Sequence, residues 1–148
     1  MAQTIKEFQH EYRFLSNFWP ASVQLQGLWF PTVEHAYQAA KTFDLKEREA
    51  ISYLSTPGEA KRAGRRLLVR PDWEEEKLLI MEDLVKQKFQ SPSLRAKLLE
   101  TGDAKLEEGN YWRDRFWGVY NGQGANHLGK ILMKIRDEIK KGDKNGQP

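Results

Sequence analysis

Apolar residues toward the C-terminus recur at steps of three and four. Leu128, Ile131, Leu132, Ile135 and Ile139 predict a strongly amphipathic helix. The same period follows Asp72-Trp73-Glu74-Glu75, where Leu78, Met81, Leu84, Val85 and Phe89 mark one face and the leading acids suit the positive end of a helix. Thr56-Pro57-Gly58-Glu59 has the spacing of a capping box with proline at the first helical position, and predicts a helix to about Leu68. Short helices are also expected over 45–54 and from Pro92 to Leu99. Earlier the period falls to two: Val23-Gln24-Leu25-Gln26, set among Pro20, Gly27 and Pro31, reads as a hairpin or extended segment within 12–31. Thr32 then caps a helix running to about Phe43. The glycine-rich stretch 103–124 reads as loops or short strands, and Gly142 to Pro148 as a disordered tail. The pattern describes a mainly α domain with a small N-terminal β portion, α+β being the alternative, in one domain over 1–141.

Composition narrows the chemistry. With 148 residues and 39% hydrophobic positions the chain can bury a full core. It has no cysteine, which excludes disulfides, thiolate metal sites and a cysteine nucleophile. His10, His35 and His127 are scattered, and no H-E-x-x-H, Walker or nucleophile-elbow pattern is present, so neither a metal nor a cofactor is expected. The first residues hold no apolar signal-peptide core and no run is long enough to span a bilayer, so a soluble cytoplasmic protein is expected. A net charge of +3 suits an anionic ligand.

Charge is distributed unevenly. The chain is 30% charged, yet between Phe30 and Phe43 only Glu34 and Lys41 carry charge. With Gln38 they fall at i, i+4 and i+7 on one helical face, opposite Ala36, Ala39, Ala40 and Phe43. The stripe is either an ordinary wet face or one wall of a pocket. In a pocket the carboxylate can stabilise developing positive charge or activate water. The lysine can bind phosphate or form a Schiff base if burial lowers its pKa.

Three other segments carry candidate chemistry. In Tyr111-Trp112-Arg113-Asp114-Arg115-Phe116-Trp117-Gly118, aromatics could stack on a heterocycle and Asp114 is a second candidate carboxylate; the plain alternative is a structural Arg-Asp cluster. Gly122 to Gly129 could bring backbone amides to an anion, or be a loop leading into the last helix. Arg13 and Phe14-Leu15-Ser16-Asn17-Phe18-Trp19-Pro20 place an amide that could reach a base edge or sugar, or form a packed turn. The basic run Lys61, Arg62, Arg65, Arg66 and Arg70 is a solvated face or, less simply, a phosphate site.

These blocks occur in an order that resembles the NADAR (NAD- and ADP-ribose-associated) family. The matching pieces are Phe14-Leu15-Ser16-Asn17-Phe18, Gly27, Phe30-Pro31-Thr32-Val33-Glu34-His35-x-Tyr37-Gln38-x-x-Lys41, Ala60-Lys61-x-x-Gly64-Arg65, Trp73, Met81, Lys88-Phe89, Leu98-Leu99-x-Thr101-Gly102, Asp114-x-x-Trp117-Gly118 and Gly124-x-Asn126-x-Leu128-Gly129-Lys130-x-Leu132-Met133. The resemblance implies a YbiA-like multihelical fold and hydrolysis of the N-glycosidic bond between a heterocycle and ribose. YbiA-like members act on phosphoribosylamino-pyrimidine intermediates of riboflavin synthesis, giving ribose 5-phosphate and free diaminouracil or triaminohydroxypyrimidine. Other members remove ADP-ribose from guanine in DNA, which makes ADP-ribosylated DNA the alternative partner. A noncatalytic ADP-ribose-binding module is the third reading. The resemblance and the residues together nominate Glu34, Asp114 and Lys41 as catalytic. They nominate Arg13, Asn17, Phe18, Gln38, Trp73, Trp117, Gly118 and Asn126 for substrate binding.

Overall fold

The computed structural model describes residues 3–145. The chain forms two compact units, one of residues 17–88 and one that joins the N-terminal residues through Ser16 to the chain from Phe89 onward.

The 17–88 unit begins with a hairpin. Strand β2 (Pro20–Leu25) pairs antiparallel with β3 (Leu28–Thr32), with Val23 opposite Phe30 and Leu25 opposite Leu28, and a bulge between Pro20 and Val23; β1 (Thr4–Ile5) belongs to the other unit. Gln26 and Gly27 turn the chain with φ of 49° and 87°, as a two-residue turn of mirror-image type needs, and Gly27 meets it at no steric cost. Alternation then sorts the side chains: Val23 and Phe30 are buried, Gln24 and Trp29 exposed.

Thr32 ends β3 and caps helix α1 (Val33–Ala39), its hydroxyl accepting from His35 N–H at 3.0 Å. Helix α2 (Leu45–Ser52) is capped by Asp44. Helix α3 (Pro57–Gly64) has the full capping box, with Thr56 and Glu59 each bonding the other's backbone. Helix α4 (Trp73–Lys88) opens with Glu74, Glu75 and Glu76 in its first turn. Helices α2, α3 and α4 all pack against α1, and every residue of α1 is buried. A wet stripe on this helix is therefore absent.

Two helices stop earlier than periodicity predicts. Helix α1 ends at Ala39 rather than near Phe43, because Lys41 N–H and Thr42 N–H bond three residues back, to Gln38 and Ala39, and unwind the last turn. Phe43, expected on the buried face, is 59% exposed. Helix α3 ends at Gly64, not Leu68, and Leu68 stands in solvent. Leu78, assigned to the apolar face of α4, is also exposed; Trp73, Met81, Leu84, Val85 and Lys88 are buried instead.

In the other unit β1 (Thr4–Ile5) pairs parallel with β4 (Lys105–Leu106). A 3₁₀ turn spans His10–Leu15. Helix α5 (Pro92–Glu100) packs on α6 (His127–Asn145), the amphipathic helix foreseen from periodicity. Helix α6 continues through Asn145, so the first residues of the expected tail are helical, while 146–148 lie outside the described residues. Between β4 and α6 the chain forms a looped segment with isolated bridges, Gly109 to Val119 and Tyr120 to Gln123. The result is a mainly helical molecule with two small sheets. Among the described residues no helix is long and apolar enough to cross a membrane.

Candidate active site

Glu34 lies in the first turn of α1 and is 8% exposed. A carboxylate so buried must be held by hydrogen bonds. Gln38, one turn on, donates from Nε2 to Glu34 Oε2 at 2.6 Å. Gln38 is itself buried and its Oε1 has no hydrogen-bond partner among the described residues. The carboxamide fits there because residue 64 is glycine: a Cβ at that position would lie 2.6 Å from Gln38 Cδ and closer still to Oε1. Asn17, at the start of the same unit, accepts Glu34 N–H on its carbonyl at 3.1 Å and directs its side-chain amide at Met81 Sδ, 3.5 Å away. Phe18 beside it is 42% exposed.

Lys41 follows the end of α1. Its Nζ stands 5.9 Å from the centre of the Tyr37 ring, and Tyr37 packs on Trp73 with ring centres 5.1 Å apart. Burial pushes the Lys41 pKa down. Glu34 opposes that shift, and the positive charges of Arg65, Lys61 and Lys77 add to it. Glu34, Gln38, Lys41, Trp73 and Asn17 thus all belong to the 17–88 unit, with α1 in its core.

The backbone that carries Lys41 is tied at its carbonyls by arginines. Arg70 N–H bonds Lys41 O at 2.7 Å, and its guanidinium reaches Ala40 O at 3.4 Å while pairing two-pronged with Asp72 at 2.6 and 2.8 Å. Buried Arg48 donates to Thr42 O at 2.7 Å and to Gln26 Oε1 at 2.8 Å. Sequence reading missed both, and read Arg70 as one of a basic run. His35 is also structural. Its Nε2 donates to Leu54 O at 3.0 Å and its Nδ1 faces the Thr32 hydroxyl at 2.7 Å, a neutral ring that burial favours by lowering the pKa.

The remaining candidates belong to the other unit. Asp114 Oδ1 accepts the backbone N–H of Phe116 at 3.0 Å and of Trp117 at 2.8 Å, closing a turn. Asn110 receives Asp114 N–H and donates to Asp114 O. Trp117 stacks edge-on to Phe116, which meets the His127 ring at 4.5 Å. Gly118 packs against Glu108 so closely that a Cβ would overlap it. Asn126 at φ 55° is buried and uses both ends of its amide on backbone, donating to Leu106 O at 2.9 Å and accepting Glu108 N–H at 3.0 Å. Every one of these observed bonds shapes the 107–126 segment. Arg13 is exposed on the 3₁₀ turn. Among the described residues no group of three or more His, Asp or Glu side chains could hold a metal ion.

The model of the NADAR domain matches residues 5–140, nearly the whole chain. The chain belongs to the NADAR family. Among NADAR relatives, an N-glycosidase of Nostoc punctiforme is 41% identical over 136 residues, covering 87% of this chain and 86% of the relative. The N-glycosidase YbiA of Escherichia coli is 39% identical over 148 residues, covering 94% and 91%. Its NMR structure superimposes with a TM-score of 0.85 at 35% identity, over 98% of this chain and 90% of that one. A riboflavin biosynthesis protein of Vibrio vulnificus is 36% identical over 137 residues; the match takes in 90% of this chain but only 37% of that longer protein. The NADAR match runs through both compact units.

Proposed function

We propose that this protein is an N-glycosidase that hydrolyses phosphoribosylamino-pyrimidine intermediates of riboflavin synthesis to ribose 5-phosphate and the free pyrimidine. The observation that carries the reading is the pairing, in one buried helix and its end, of a fixed carboxylate with a lysine of lowered pKa. The names of the relatives, two N-glycosidases and a riboflavin biosynthesis protein, support the bond and the substrate class.

The chemistry follows from those two groups. Desolvation and the neighbouring cations give Lys41 a larger neutral, nucleophilic fraction than a solvated lysine has. Lys41 Nζ attacks C1′ of the ribosyl group. The C1′–N bond breaks, its electron pair leaves with the heterocyclic amine, and the proton shed by Nζ goes to that amine. The glycosylamine so formed opens at its C1′–O4′ bond, O4′ taking the second proton of Nζ, to give an imine; water adds at C1′, the C1′–Nζ bond breaks as Nζ regains its protons, and the open-chain sugar phosphate and Lys41 are freed. Glu34 faces the positive charge that develops at C1′ and takes the proton of the water. Gln38 holds Glu34 rather than the substrate. Trp73 with Tyr37, together with Asn17 and Phe18, supplies the wall for the base. Asp114, Trp117, Gly118 and Asn126 we place with the construction of the 107–126 segment, and Arg13 takes no step in this scheme.

The test is a parallel incubation with the pyrimidine intermediate and with DNA carrying ADP-ribosylated guanine, measuring released sugar phosphate, ADP-ribose and base. Release from the pyrimidine alone is expected. Release from DNA alone would move the protein to the second branch of its family, and binding without release from either would make it a binding module. Reduction with cyanoborohydride in the presence of ribose 5-phosphate should leave a stable adduct on Lys41, found by peptide mass mapping. Its absence there would overturn the covalent step.

A further inference from the structure

Three consecutive carbonyls bracket Lys41, and each is bonded from another part of the chain. Ala40 O receives the Arg70 guanidinium at 3.4 Å, Lys41 O the Arg70 backbone N–H at 2.7 Å, and Thr42 O the Nε of Arg48 at 2.7 Å. They follow directly on α1, where a helix end is ordinarily finished by a glycine turn or by water. Two guanidiniums take that place here. Arg48 comes from α2, is buried, and uses another donor on Gln26 Oε1 in the hairpin turn at 2.8 Å. Arg70 comes from the segment before α4. Its side chain is only 11% exposed and is locked two-pronged to Asp72, which fixes the backbone N–H that it offers to Lys41 O.

Phe43 belongs to the same cluster. Its ring is exposed, so core packing does not account for it. Its centre lies 4.1 Å from Arg70 Cζ and 6.0 Å from Arg48 Cζ, within cation–π reach of both. The two arginines carry like charge and stand near enough for one to disfavour the other. Drawing two such cations out of water is costly, and closing a helix does not require it. The cost falls at the residue whose amine the proposed chemistry uses. A lysine stem is long and flexible, so the reach of its amine is set by where its backbone is held and by what the stem meets. The backbone of Lys41 is tied on both sides, and its Nζ stands 5.9 Å from the centre of the buried Tyr37 ring.

We propose that Arg48 and Arg70, with Asp72 and Phe43 holding them, are positioning residues that fix the backbone of Lys41 and thereby the place of its amine. That this serves catalysis rests on the N-glycosidase reading, but the fixing itself is measurable without turnover. Lys41 is methylated with formaldehyde and cyanoborohydride across a range of pH, and its modification is followed by peptide mass. The midpoint of that profile reports the surroundings of the amine: burial first, then Glu34 of α1, Arg65 and Lys61 at the end of α3, and Lys77 of α4. In Arg70→Gln the amine moves toward water, and the midpoint shifts to higher pH. Phe43→Ala alters no charge, so a smaller shift in the same direction reports position alone, and Phe43→Tyr restores the wild-type midpoint. In turnover Arg70→Gln lowers kcat by about tenfold or more and leaves KM within about threefold, since what is lost is alignment. Phe43→Ala lowers kcat by about two- to fivefold, the worth of an exposed cation–π contact. Thermal melts fix an assay temperature at which every variant is folded. If Arg70→Gln does not fold, the exposed changes Asp72→Asn and Phe43→Ala decide the matter. A wild-type midpoint in folded Arg70→Gln, or in both exposed variants, overturns the proposal, even where the melting temperature falls, because the cluster is then a plain stabiliser of the fold. A wild type that cleaves neither substrate, while the Lys41 midpoint moves in the variants, sustains the positioning and sinks the glycosidase reading instead.

Discussion

Gly64 has no side chain, and the space it leaves is taken by Gln38, which in turn holds Glu34. This chain of contacts makes a remote glycine a positioning residue for the proposed carboxylate. Gly64→Ala must displace the Gln38 carboxamide and with it the 2.6 Å bond to Glu34. Because small misplacements of a reacting group are expensive, turnover should fall by about tenfold or more. In Gln38→Ala the obstacle is gone, so adding Gly64→Ala to that variant should cost little further; independent, additive losses in kcat would refute the coupling. Glu34→Gln preserves shape and the acceptor for Gln38 and removes only charge. It should melt near the wild-type temperature and lose on the order of 10²–10³ in kcat. Wild-type turnover in that variant would remove Glu34 from the chemistry.

At the scale of elements, the ends of helices separate what the sequence makes plain from what it hides. Thr32 and the Thr56–Glu59 box are cap signals contained within a few residues, and the structure uses them as expected. The end of α1 is not local. It goes with Arg48 and Arg70, which donate to the carbonyls of Thr42 and Ala40 just past the helix, from α2 and from the residues before α4, and no nearby residue announces them. The same holds for α5, where Arg136 of α6 donates to Thr101 Oγ1 and Ala104 O, each at 2.8 Å. For the site, the low charge of Phe30–Phe43 correctly pointed to a buried Glu34 and a partly buried Lys41. It could not show that Gln38 serves Glu34, which depends on a glycine in another helix. Asp114 is the sharpest case, since from sequence it reads as a second acid and in the fold it caps a turn. The two roles predict opposite results. An asparagine at this position can still accept from the Phe116 and Trp117 amides, so Asp114→Asn should keep turnover within about tenfold and stability near wild type. Asp114→Ala should lose about 1 kcal/mol, the usual worth of such a cap. Abolished turnover in Asp114→Asn with an unchanged melt would restore it to the chemistry.

At the scale of the molecule, the residue that closes the 17–88 unit carries an unusual charge. Lys88 ends α4, is 1% exposed, and burial pushes its pKa down to about 7. An unfolded lysine titrates near ~10.4. Between those two values the unfolded chain binds the proton that the folded chain has shed, so unfolding takes up a proton and stability rises with pH across that window. Below about pH 7 both states are protonated, and the folded protein holds an ammonium away from water. Lys41 shifts in the same direction, so wild-type stability alone cannot assign the effect. Lys88→Met keeps the length and apolar stem and deletes the titration. Urea unfolding at intervals from about pH 6 to 9.5 should therefore show stability rising with pH more steeply in wild type than in Lys88→Met, the gap between them narrowing as pH increases. Parallel curves would mean that Lys88 keeps its proton, or its neutrality, throughout the range, and that its burial is balanced in some other way.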